Sequence, residues 1–246
     1  MIWWRLARPE ASNALSRALV DALDAAVASV AGDPSVRAVV VTGLGKAFCA
    51  GADLKERRGL TLDETRTFLD HLNGVVDGVA GLRCPVVAAI NGAAFGGGLE
   101  LALACDLRVA AEGAAMGLVE TRLGIIPGAG GTQRLTRLVG AARAKEAIFT
   151  GRRLDAATAR AWGVVSEVVP EVELEAAANR LAEEIAGAAP LAVAAAKTAI
   201  DGGDGLALGD GLALERRCYE TVLVTADRNE GLAAFAEKRR PVFQGK

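Results

Sequence analysis

The chain is 246 residues long, 52% hydrophobic and 24% charged, with a formal net charge of −2. That much apolar sequence buries a large core in one large domain, or in one domain with an appendage, and excludes a disordered chain. Lysine and arginine are scattered without forming a basic block, which excludes nucleic acid as a main partner.

The first ten residues, MIWWRLARPE, lack the apolar stretch and small-residue cleavage site of a signal peptide and predict no export. Residues 16–31 put Leu19, Leu23, Ala26, Val27 and Val30 on one helical face, with Ser16 as N-cap. After Asp33 and Pro34, the β-branched run over 36–42 predicts a buried strand, and 43–57 reads as a glycine-interrupted loop entering a polar helix. A second round follows: helix over about 62–82, strand over 86–90, glycine-rich loop, helix from Leu99. A third starts with a strand at 107–110, passes a loop over 116–128, and continues into helices near 130–149 and 155–162. This alternation predicts an α/β domain with its loops gathered at the strand ends. The most apolar window, from Val86 to Cys105, is interrupted by Asn91-Gly92, by three glycines and by Glu100, so no membrane span is expected.

From Pro170 onward the pattern is alanine-rich and helical, over 172–187, 190–201, 206–223 and 226–239. A soft boundary near Pro190 divides a core, 1–189, from a helical region, 190–246, that packs on its own domain or on a neighbouring subunit.

Little of the usual catalytic chemistry is available. There is one histidine, His71, and no GxSxG string, so neither a Ser-His-Asp triad nor a histidine metal cluster is expected. Cys49, Cys84, Cys105 and Cys218 lack CxxC spacing and read as reduced core thiols, which points to the cytoplasm. Carboxylates, main-chain N–H groups and thiols remain. Gly96, Gly97 and Gly98 stand between a strand and a helix, where unpaired N–H groups attract negative charge and glycine lets a ligand approach. Alone, the triplet is equally a tight turn or a close helix contact, and it does not fit the GxGxxG dinucleotide fingerprint. The loop through Ala50, Gly51 and Ala52 also follows a strand, and two such loops could direct two N–H donors at one oxyanion. Glu100 lies among Leu99, Leu101, Ala102 and Leu103, where burying a carboxylate costs free energy. Glu120 alone would read as a solvated loop carboxylate, but beside Glu100 over one apolar cleft the pair would make an acid and a base.

Three strings carry a resemblance: AFCAGADLKER from Ala47, NGAAFGGGLELALACDLR from Asn91 and GLVETRLGIIPGAGGTQRL from Gly117. Together they resemble the enoyl-CoA hydratase/isomerase (crotonase) family, from about residue 5 to the C-terminus. The resemblance implies a crotonase-like spiral of repeated ββα units with a helical C-terminal trimerisation region, acting on an acyl-CoA thioester as a homotrimer or dimer of trimers. It assigns oxyanion donors to the N–H groups of Ala52 and Gly97, the base to Glu100, the acid to Glu120 and a place beside the catalytic water to Gly128. Coenzyme A would be held around Ala50, Ala52, Asp53, Leu54 and Lys55, with Phe235 and Lys238 coming from a neighbouring subunit. No metal and no cofactor beyond the substrate's coenzyme A are implied.

The family often carries a basic residue just after its first strand, where this chain has ARPEAS from Ala7 and only Arg8 nearby. The first strand of the family's N-terminal hairpin has no counterpart here. The string LALERRCYE from Leu212 and the tail from Ala226 to Pro241 resemble the methylglutaconyl-CoA hydratase branch, which implies hydration of a short branched 2-enoyl-CoA. An isomerase or acyl-CoA hydrolase is the alternative within the family. An RNA-binding role is the alternative outside catalysis, and the acids of the first helix speak against it.

Overall fold

The computed structural model describes residues 1–246. Two stacks of strands grow together along the chain. β1 (Ile2–Leu6) begins the first, followed by α1 (Arg17–Ala31), which Ser16 caps by accepting from Leu19 N–H. β2 (Val39–Gly43) leads into β3 (Ala47–Cys49), the short α2 (Leu54–Arg57) and α3 (Leu62–Ala80). β4 (Val86–Ile90), β5 (Ala93–Phe95) and α4 (Gly97–Ala104) form the next turn. β6 (Leu107–Ala111), β7 (Ala115–Gly117), a 3-10 turn at Glu120–Leu123, α5 (Gly131–Val139) and α6 (Ala141–Thr150) form the third. β8 (Leu154–Asp155), α7 (Ala156–Trp162) and β9 (Glu167–Val169) close the core, and α8 (Leu174–Ala186) covers it.

The longer strands make a five-stranded, all-parallel sheet in the order β1-β2-β4-β6-β9. The short ones make a second sheet, β3-β5-β7-β8, parallel except for its last pair. The turns that begin at β2, β4 and β6 each give one strand to each sheet and then run into helix, which is the ββα spiral. The sequence pattern had predicted plain loops over 43–57 and 116–128, and both contain a strand of the second sheet. Three-residue strands are too short to show alternation.

Alternate residues of the first sheet face opposite ways. Val39, Val41, Ala88 and Ile90 join the main core, while Val40, Val87, Ala89 and Val109 pack under α8. Burial on both faces explains why these strands read as unbroken apolar runs. All four cysteines are buried and free, and burial pushes the thiols of Cys49 and Cys105 up to about 12, so they stay protonated.

The C-terminal helices are packed differently. α9 (Pro190–Gly203) and α10 (Leu208–Leu223) lie against each other as a hairpin, and α11 (Ala226–Glu237) follows. α9 has no buried residue and α10 only Cys218. Lys197 of α9 is tied to Asp106, whose carboxylate also accepts from Val86 N–H. Asp227 of α11 accepts from the N–H groups of Gln244 and Gly245 and so holds the tail.

Candidate active site

The two turns of the spiral that begin at β2 and β4 end side by side. Leu15 N–H donates to Gly51 O and Asp53 N–H to Leu15 O, leaving the Ala52 N–H between them with no acceptor. Asp53 caps α2 by accepting from Lys55 N–H and Glu56 N–H, and it also binds the Arg8 guanidinium at 3.2 Å. Arg8 reaches Ala14 O as well, so the segment after β1 and the Ala52 loop are clamped together.

Each glycine of the triplet has a separate reason to be there. Gly96 has φ of +52°, which disfavours a side chain, and it donates its N–H to Gly117 O. Gly98 packs against β3 so closely that a Cβ would stand 2.1 Å from Cys49 O. Gly97, whose φ is not positive, is the first residue of α4, and its N–H has no acceptor. A Cβ on Gly97 would stand 3.9 Å from both Ala52 N and Glu100 Oε2.

Glu100 is only 3% exposed. Its Oε1 accepts from Ala129 N–H at 2.7 Å and Gly131 N–H at 2.8 Å, while Oε2 accepts no hydrogen bond from the protein. Burial raises its pKa, and the two N–H groups, Arg134 and Arg57 pull the other way. Glu120 starts the 3-10 turn after β7 and is also buried, with neither oxygen bonded. Its Oε1 lies 3.1 Å from where a Cβ on Gly96 would be. Burial pushes Glu120 up to about 7, the charge of Glu100 adds to this, and Arg57 opposes it. The two carboxyls thus flank consecutive glycines: Glu100 is anchored through Oε1 by two main-chain donors, whereas Glu120 has no hydrogen-bond partner and is pushed further up by burial.

These groups line one cavity of about 520 Å³, with Ala50, Leu54, Leu69, Leu72 and Gly128 among its walls and Leu123, Ile125 and Ile126 as an apolar rim. Asn73 fixes the Gly128 carbonyl at 2.8 Å. No group of three or more His, Cys, Asp or Glu side chains is arranged to hold a metal ion.

The profile of the enoyl-CoA hydratase/isomerase family matches residues 2–246. The chain belongs to that family. It is 50% identical over 244 residues to mouse "Enoyl-CoA hydratase domain-containing protein 2, mitochondrial", covering 97% of this chain and 82% of the mouse protein. It is 46% identical to human "Methylglutaconyl-CoA hydratase, mitochondrial", covering 97% of this chain and 72% of that one. The crystal structure of an enoyl-CoA hydratase from Bacillus anthracis superimposes with a TM-score of 0.98 at 49% identity, covering 100% and 96% of the two chains.

Among the residues that the crotonase resemblance pointed to, Ala50, Ala52, Leu54, Gly97, Glu100, Glu120 and Gly128 meet at this cavity. Ala50 N–H donates to Ser12 O, and Asp53 does not line the cavity: its carboxylate is taken up by its own helix and Arg8. Lys55 is exposed outside the cavity. Phe235, 87% exposed, and Lys238 stand on and just after α11, away from the cavity of their own chain. The sequence reading passed over Arg57, Ala129 and Gly131. Main-chain donors have no side-chain signature, and Arg57 closes a polar string that reads as surface.

Proposed function

We propose that this protein is an enoyl-CoA hydratase acting on short, branched 2-enoyl-CoA thioesters such as 3-methylglutaconyl-CoA. The observation that carries this reading is the pair of unpaired N–H groups, Ala52 and Gly97, at a cavity that also holds two buried carboxyls in unlike environments. The thioester oxygen accepts from both N–H groups, which stabilises the enolate as it forms. One such donor is worth roughly 2.7–4 kcal/mol of barrier. Glu100, steadied through Oε1, takes a proton from water at its free Oε2 while the water oxygen bonds to C3. Glu120 gives its proton to C2, so the elements of water add across the double bond and the two carboxyls exchange protonation states. Gly128 leaves room for the water.

The main chain around Ala50, Ala52 and Leu54 takes the adenine, and Lys55 a ribose or phosphate. Phe235 and Lys238 serve the site of a neighbouring subunit in a trimer or dimer of trimers. Exposed apolar side chains on the C-terminal helices support that assembly, including Ile200, Leu208, Leu212 and Tyr219. No cofactor takes part beyond the substrate's coenzyme A, and residues 190–246 serve chiefly in oligomerisation. No helix is long and apolar enough to cross a membrane, and we place the enzyme in the cytoplasm.

The test is loss of enoyl thioester absorbance with crotonyl-CoA and 3-methylglutaconyl-CoA. Hydration of either is expected. Turnover confined to double-bond migration or thioester hydrolysis would overturn the reading.

A further inference from the structure

Arg57 is the charged group of the cavity that the reaction above leaves without a task. It is the last residue of α2, half-buried in the cavity wall, with its guanidinium carbon 5.2 Å from the centre of the buried Phe68 ring. Its Nε is buried with no hydrogen-bond partner. It forms no ion pair, although both Glu100 and Glu120 feel its charge. A half-buried guanidinium without an anion is unfavourable, and its planar fork suits a carboxylate. Elsewhere in the lining, Leu123, Ile125 and Ile126 offer apolar side chains.

We propose that Arg57 is a specificity residue that binds a carboxylate carried on the acyl chain, so that the preferred substrates are 2-enoyl thioesters of short dicarboxylic acids. This rests on the hydratase reading and narrows its substrate class. The other source of an anion is a phosphate of coenzyme A. Arg57 shares the cavity with the two glutamates, where the acyl chain reacts, and feels the charge of both, whereas Lys55 of the same helix stands exposed outside.

Two measurements test it. In the first, the saturated and unreactive thioesters glutaryl-CoA and butyryl-CoA are titrated calorimetrically into the native protein, Arg57→Gln and Arg57→Lys. Native protein should bind glutaryl-CoA roughly 10- to 100-fold tighter, the size of a charge-assisted contact. Arg57→Gln should abolish that preference and Arg57→Lys should keep part of it, with circular dichroism checking the fold. In the second, the ratio of kcat/KM for 3-methylglutaconyl-CoA over crotonyl-CoA should collapse by a similar factor in Arg57→Gln. A native protein with no preference for glutaryl-CoA overturns the proposal even if crotonyl-CoA is hydrated. A glutaryl preference that depends on Arg57, without hydration of any enoyl-CoA, upholds the carboxylate site while removing the hydratase reading. Equal weakening of both acyl-CoAs in Arg57→Gln, absent with the corresponding pantetheine thioesters, assigns the contact to a coenzyme A phosphate and overturns it.

Discussion

α4 and α9 are both short, apolar helices with glycines at one end, and their environments are opposite. All eight residues of α4 are buried, and the helix is enclosed by β3, β5, α3 and α5 of its own chain. α9 carries Leu191, Val193, Ile200 and many alanines yet buries none of its residues. The same kind of side chain is thus fully enclosed in one region and only partly covered, by α10, in the other. Ile200, 72% exposed on α9, is the kind of apolar side chain that a second copy would cover in the assembly proposed above.

Substitutions of one type should behave differently in the two regions. Leu101→Glu, at a position 1% exposed in α4, should prevent folding, since an unpaired buried charge costs more than about 4 kcal/mol. Leu212→Glu in α10, at a position 53% exposed, should leave the helical signal intact and shift sedimentation to the monomer. A native chain that sediments as a monomer at micromolar concentration would overturn the proposed assembly. Within the cavity, Glu100→Gln and Glu120→Gln should each lower kcat by about 10²–10⁴-fold in the absorbance assay. Retention of more than about a tenth of activity, a loss below roughly 1.4 kcal/mol, would remove that residue's role.

A smaller effect separates the two carboxyls. Glu120 is held near 7 in the fold against a usual 4.5, so its protonated form contributes stability that is present below about 4.5 and lost as pH rises through 7. Glu120→Gln should remove this slope and, above pH 7, be more stable by up to about 3 kcal/mol even as its kcat falls. Chemical denaturation at several pH values measures it. The smallest effect is electrostatic. Because Arg57 holds Glu120 down, Arg57→Gln should move the alkaline limb of the pH–kcat/KM profile to higher pH. A limb that stays fixed or moves down would show that Glu120 does not set it.

Legibility in the sequence followed the physics of each element. β4 was readable to the residue, because Val86–Ile90 is an apolar run closed by Pro85 and Asn91-Gly92. Ser16, the face of α1 and the four C-terminal helices were readable from capping chemistry and helical period. β3, β5 and β7 were not, since each is defined by its neighbour in the second sheet rather than by its own pattern. Glu100 was conspicuous because a carboxylate among leucines needs a reason. What restrains it, the N–H groups of Ala129 and Gly131, could come from any residue type. Arg57 was in plain view, but nothing in a polar string distinguishes a guanidinium turned inward from one in solvent.

The spiral also sets the order in which the protein can become active. Its cavity is lined from residues 50–57, 65–72, 96–100, 119–126 and 128–129, and the Ala52 loop is held by Leu15 and Arg8. Every strand pair but one is parallel, so contacts between distant segments must close before these pieces meet. Folds dominated by such long-range contacts mature slowly. On dilution from denaturant, helical signal should return first and hydration last. A nascent chain therefore has no working precursor of its site until its third strand-strand-helix turn has docked.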